Sequence, residues 1–138
     1  MKICVYGAGS IGGVIGGVLA QVGHDVSLIA RGAHLHALKA NGCTVETGGQ
    51  TFTVEIACSD NPADFGPQDY VVVAVKGPTM PSIAAGISPL LGSDTAVVPA
   101  MNGIAANDQS FGARGRACVF CVTFCGLHVP VTFFLTSC

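Results

Sequence analysis

Lys2-Ile3-Cys4-Val5-Tyr6-Gly7-Ala8-Gly9-Ser10-Ile11-Gly12-Gly13-Val14-Ile15-Gly16 is the stretch from which the rest of the chain is read. An apolar run of strand character, Ile3 to Tyr6, breaks into Gly7-Ala8-Gly9-Ser10-Ile11-Gly12 and then into a helical pattern. Ile11, Val14, Ile15, Val18, Leu19 and Val22 recur at helical spacing, so one face of that helix is apolar. Strand, G-x-G-x-x-G and helix, in that order, cradle the diphosphate of a dinucleotide. Gly7 makes the tight turn, Gly9 lets the diphosphate approach the backbone, and Gly12 lets helix and strand pack closely. The phosphates then meet unpaired N–H groups at the positive end of the helix dipole. With 19 glycines in the chain a chance match is easy, so the flanking strand and helix patterns carry the reading. The candidate cofactor-binding segment is Gly7, Ala8, Gly9, Ser10, Ile11 and Gly12.

Size and composition agree with this. The 138 residues suffice for one domain with a buried core. Half of them are hydrophobic and 10% charged, the balance expected of a parallel sheet covered on both faces. A net charge of -2 offers no basic field, which argues against nucleic acid as a partner. Seven cysteines form no secreted disulfide framework, and a reduced, cytoplasmic compartment is the simpler reading. Two uncharged stretches invite a membrane reading. Ile3 to Gly23 holds seven glycines, each costing a helix about 1 kcal/mol relative to alanine, so strand, turn and helix explain it better. Ala117 to Cys138 is interrupted by Gly126, His128 and Pro130, which favours a buried strand and tail over an anchor. No membrane partner is expected.

Val26 to Ala30 reads as a second strand after the Val22–Asp25 turn. An NAD-selecting site carries Asp or Glu at its end, accepting hydrogen bonds from the ribose 2′-hydroxyl. Here Ala30 is followed by Arg31. Without a carboxylate a 2′-phosphate is not repelled, and a guanidinium grips one in a bidentate way. The expected cofactor is therefore NADP(H), with Arg31 as its 2′-phosphate ligand; the alternative is an arginine that merely faces solvent.

Gly32 to Asn41 reads as a short helix with Leu35 and Leu38 inward, and His34 and His36 as solvated helix residues. Cys43–Thr47 and Thr51–Ile56 flank Gly48-Gly49-Gln50 as a hairpin, and Ser59 to Gln68 reads as a loop. Asp69 to Val75 is the clearest strand, β-branched as a central parallel strand should be. Lys76 follows at its carboxyl end, where ligands bind in open α/β sheets, and is a candidate cofactor contact. A helix runs from Pro78 through Ile83, Ile87, Leu90 and Leu91 to Gly92, and Thr95 to Pro99 is the next strand. Asn102, in Met101-Asn102-Gly103, either hydrogen-bonds ribose or substrate or simply forms a turn. After a polar stretch, Ala117 to Phe124 reads as one more apolar strand. Cys118, Cys121, Cys125 and His128 invite a metal site, but alternating cysteines in a strand point to different faces. They read better as small buried hydrophobes, and no metal is expected.

The fold expected is α/β, a Rossmann-type, doubly wound, mainly parallel sheet with helices on both faces. Residues 1–126 form the dinucleotide-binding domain and residues 127–138 an apolar tail.

KICVYGAGSIGG, the VSLIARG run, the DYVVVAVK strand and the MNG turn together resemble ketopantoate reductase (2-dehydropantoate 2-reductase), with family-like order and spacing. The resemblance covers about residues 1–126 and is specific through residue 103. It implies that Gly7 to Gly12 hold the pyrophosphate of NADPH and Arg31 its 2′-phosphate. It further implies that Lys76 and Asn102 contact the nicotinamide half, Asn102 near the substrate. Family members continue into a helical domain that supplies the proton-donating lysine, the groups that hold the 2-keto acid, and much of a dimer interface. This chain reaches Cys138 before any of it. No catalytic residue is assigned, and a 2-keto acid is expected as partner only where a second domain completes the site. The apolar tail offers a surface for a homo-oligomer. The NADPH-binding half of a reductase, as a truncated product or equally a purpose-built short protein, is the first expectation, and a dinucleotide sensor or regulatory subunit is the alternative.

Overall fold

The structure, a computed structural model, describes residues 1–76 and 80–100. Strand β1 (Lys2–Tyr6) runs into helix α1 (Ser10–Gln21), then strand β2 (Asp25–Ile29) and helix α2 (Gly32–Asn41). A hairpin of β3 (Cys43–Thr47) and β4 (Gln50–Val54) precedes the short strand β5 (Ala57–Ser59). Strand β6 (Tyr70–Val73), helix α3 (Met80–Ile87) and strand β7 (Ala96–Pro99) complete the described strands and α-helices, with short 3-10 turns at Pro62–Asp64 and Ser88–Leu90.

β1, β2, β5, β6 and β7 form one sheet in the order β5-β2-β1-β6-β7, every pairing parallel. The chain lays strands outward from β1 on one side, then returns to lay β6 and β7 on the other. That reversal makes a crevice between the carboxyl ends of β1 and β6. The pleat sorts the side chains. Ile3, Val5, Val26, Leu28 and Val72 face one side and pack with Leu35 and Leu38 of α2 and, in part, Ile15 and Leu19 of α1. Cys4, Tyr6, Ile29, Val71, Val73 and Val97 face the other and pack with Ile83, Ile87 and Leu90. Helices therefore cover both faces, as a sheet with near-continuous apolar strands requires. Each buried aliphatic side chain contributes roughly 1.5–3 kcal/mol.

Three local expectations are corrected. The apolar stripe of α1 supplies only part of its contact with the sheet, through Ile15 and Leu19: the fully buried residues of the helix are Gly12, Gly16 and Gly17. Ile11, Val14 and Val18 are 42%, 39% and 37% exposed. A Cβ on Gly16 would come within 2.6 Å of Leu28 Cδ2, and one on Gly17 would overlap Val45 Cγ2. The helix backbone lies so close to the sheet and hairpin that glycine, not valine, is what fits beneath it. Second, Ala57–Ser59 is a strand pairing with β2, where the sequence reading assigned Ala57 and Cys58 to no element and opened a loop at Ser59. Three residues are too few to show a period. Third, Gln50 opens β4, so the hairpin turns on Gly48 and Gly49 alone, both at positive φ (57° and 75°). Two-residue turns of this kind match the twist of the strands they join.

Candidate functional site

The glycine loop sits where the crevice opens. The N–H groups of Gly7 and Ala8 both donate to the Ile29 carbonyl, at 3.1 and 3.0 Å, so the loop is tied to the carboxyl end of β2. Gly7 turns the chain at φ 107°, a conformation disfavoured for any residue with a Cβ. A Cβ there would also lie 2.6 Å from Val75 Cγ1 and 2.8 Å from the Ala74 carbonyl oxygen. A Cβ on Gly12 would overlap the Gly7 carbonyl oxygen. Gly9 is different, because a Cβ there would meet nothing within 4 Å. Gly9 caps α1 without a side-chain hydrogen bond, so the first N–H groups of the helix have no partner within it. Of the remaining loop residues, Ala8 is buried, whereas Ser10 and Ile11 are exposed.

A cleft of about 370 Å³ lies over this loop, lined by Tyr6 to Gly9, Ile29, Ala30, Arg31, His34, Val75, Ser82 and Ile83. Arg31 enters it because β2 ends at Ile29 and α2 starts at Gly32, which leaves Arg31 as the extended N-cap residue (φ −136°, ψ 156°). Among the described residues the lining contains no Asp or Glu, and its one permanently charged group is the Arg31 guanidinium. Uncapped helix N–H groups and a lone cation suit an anionic ligand.

Of the residues singled out from sequence, Gly7, Ala8, Gly9 and Arg31 come together at this cleft. Ser10, Ile11 and Gly12 form the first turn of α1 beside it. Lys76 is exposed just past the end of β6; Val75, not Lys76, lines the cleft. Asn102, Cys118, Cys121, Cys125, His128 and the tail 127–138 lie outside the described residues. His34 is an exposed residue of α2, as the sequence reading has it, and in addition its Nε2 lies 2.5 Å from the Ala8 carbonyl oxygen, a contact the sequence reading did not include. Its place in the first turn of α2, three residues after Arg31, was the signal available in the sequence. Tyr6, Ser82 and Ile83 also line the cleft and were not singled out. Among the described residues no group of His, Cys, Asp and Glu is arranged to hold a metal ion, and no helix is long and apolar enough to cross a membrane.

Ketopantoate reductase PanE/ApbA is the family that matches, over residues 3–131. The chain belongs to this family. Its ketopantoate reductase relatives include the 2-dehydropantoate 2-reductase of Mesorhizobium japonicum, 41% identical over 105 residues. That alignment covers 75% of this chain and 32% of the relative. Among solved structures, the PanE/ApbA family ketopantoate reductase of Ralstonia eutropha JMP134 is 32% identical with a TM-score of 0.78. The match covers 88% of this chain and 40% of that one. The 2-dehydropantoate 2-reductase of Porphyromonas gingivalis W83 is 34% identical with a TM-score of 0.74, covering 88% of this chain and 46% of that one. This chain thus spans about a third of the length of the curated ketopantoate reductases it matches first, with shares of 32% and 38%. The ketopantoate reductase family is one of NAD(P)-dependent oxidoreductases, and its Rossmann-type fold is the one described above.

Proposed function

We infer that this chain is the NADP(H)-binding part of a 2-dehydropantoate 2-reductase, which reduces ketopantoate to pantoate in pantothenate biosynthesis. The observation that carries the cofactor choice is Arg31: it stands at the end of β2, in a cleft whose lining, among the described residues, holds no carboxylate. A dinucleotide selected through its ribose 2′-hydroxyl calls for an acceptor at that place, and a 2′-phosphate calls for a cation. The residues present fit the cofactor. Open space over Gly9 and the uncapped start of α1 suit the diphosphate. Arg31 would hold the 2′-phosphate, and Lys76 and Asn102 are assigned to the nicotinamide half, Asn102 nearer the substrate. When bound, the nicotinamide supplies a hydride. The residues of this chain bind and orient the cofactor, while protonation of the developing alkoxide needs an acid that is not assigned here. The location proposed is the cytoplasm.

Titration of the chain with NADPH and with NADH, followed by nicotinamide fluorescence, tests this reading. Tighter binding of NADPH by tenfold or more is expected. Equal affinities would remove the 2′-phosphate role of Arg31, and binding of neither would remove the site.

A further inference from the structure

We propose that His34 is a positioning residue for the diphosphate, acting through the Ala8–Gly9 peptide; this rests on the cofactor reading above. A carbonyl oxygen only accepts, so the contact between His34 Nε2 and the Ala8 carbonyl requires the proton on Nε2. The peptide unit that carries the Ala8 carbonyl also carries the Gly9 N–H. In a trans, planar peptide these two groups point in opposite directions. Holding the carbonyl toward α2 therefore aims the Gly9 N–H away from it. The other side of Gly9 is held as well, since its carbonyl accepts the first helical hydrogen bond, from Gly13 N at 2.7 Å. On the preceding side, the Ala8 N–H is tied to the Ile29 carbonyl at 3.0 Å. Among the described residues, His34 is the hydrogen-bond partner found for the Ala8 carbonyl, in a loop tied on both sides of it.

Position supports the same role. His34 and Ala8 line the 370 Å³ cleft and also a second cleft of about 630 Å³ between α1 and α2. His34 thus stands between the two clefts, where it braces the loop from the α2 side. Its partner is a loop carbonyl, so the effect falls on the part shared by NADPH and NADH. Arg31, in contrast, acts on the 2′-phosphate that distinguishes them.

The test uses the whole chain as wild type, His34→Leu and His34→Gln. Glutamine is chosen because its amide nitrogen reaches about as far as Nε2 and donates a hydrogen bond. Affinities for NADPH and NADH are measured by titration, and 15N order parameters of the Gly9 and Ser10 amides are measured without ligand. For His34→Leu, both affinities are expected to fall by the same factor, about five- to tenfold, with lower order parameters. His34→Gln should stay within about threefold of wild type in affinity and keep the order parameters. Unchanged binding by His34→Leu, a loss confined to NADPH, or a glutamine variant no better than leucine would each overturn the proposal. If the wild type binds neither dinucleotide, the cofactor reading fails by itself. The order parameters then still decide whether His34 holds the loop.

Discussion

The α-carbon of Gly12, in the first turn of α1, faces the carbonyl oxygen of Gly7 at a separation that leaves no room for a methyl group between them. Such a methyl would also lie 3.1 Å from Val5 Cγ1 on β1. Neither obstacle is a flexible chain end: one is backbone and the other a buried valine. Gly12→Ala must therefore push α1 off the strand it crosses. We expect a loss of about 2–3 kcal/mol, the cost of overpacking a tight contact. Urea unfolding monitored by circular dichroism measures it, and a midpoint equal to wild type would contradict the packing role.

Gly9 gives the opposite expectation. Its backbone is extended (φ −68°, ψ −169°), so alanine is allowed there, and the added methyl meets only open space. Gly9→Ala should leave stability unchanged or raise it by about 0.5 kcal/mol, because alanine restricts the unfolded chain. The same methyl would occupy the space a diphosphate needs to reach the helix N–H groups. NADPH affinity should fall tenfold or more, which calorimetric titration would read. Retained affinity in a stable Gly9→Ala would mean that the diphosphate does not approach at this point.

Arg31 is exposed, and at the N-cap of α2 its side chain makes no capping hydrogen bond. Arg31→Ala should leave the unfolding midpoint within about 0.5 kcal/mol of wild type. Its effect on binding should be selective. A charge-assisted hydrogen-bond pair to phosphate is worth about 1.5–3 kcal/mol, so NADPH weakens by roughly tenfold to a hundredfold while NADH changes little. A uniform loss for both cofactors would place Arg31 elsewhere on the ligand.

Cys4, on β1 between the two helical layers, makes stability depend on alkaline pH. Burial pushes its thiol from 9.0 up to about 11, while the neighbouring Ser27 hydroxyl, which makes no full hydrogen bond of its own, pulls more weakly the other way. Below pH 9 both the folded and unfolded chains carry the neutral thiol, and its contribution is fully present. Between pH 9 and 11 the unfolded chain ionises first, so roughly 2–3 kcal/mol is lost across that window. The urea midpoint of wild type should fall more steeply over that range than that of Cys4→Ala. Parallel curves would show that the thiol is not the titrating group. Cys43 and Cys58 are raised in the same direction by burial and leave a residual slope in both proteins.

Local pattern was enough for most of the architecture. The β-branched run at Val71 to Val73 must be a strand, Leu35 and Leu38 must share a helix face, and Gly7-Ala8-Gly9 must turn between a strand and a helix. Each of these follows from the steric preferences of a few adjacent residues, which a sequence displays directly. Arg31 in place of a carboxylate was equally legible, since it needs only the end of one strand to be located.

Distance between segments was not legible. Nothing in the order of residues says that α1 lies so close to Leu28 and Val45 that its glycines, rather than its valines, meet them. Nor does it say that three residues at Ala57–Ser59 find an edge of the sheet beside β2. The contact between His34 and Ala8 spans 26 positions and exists only because β1 and β2 pair in parallel, bringing their carboxyl ends together. Turn, strand and charge were thus set by neighbours along the chain. Which groups converge on the glycine loop was decided by the packing of the sheet and its helices, because convergence depends on contacts between residues far apart in sequence.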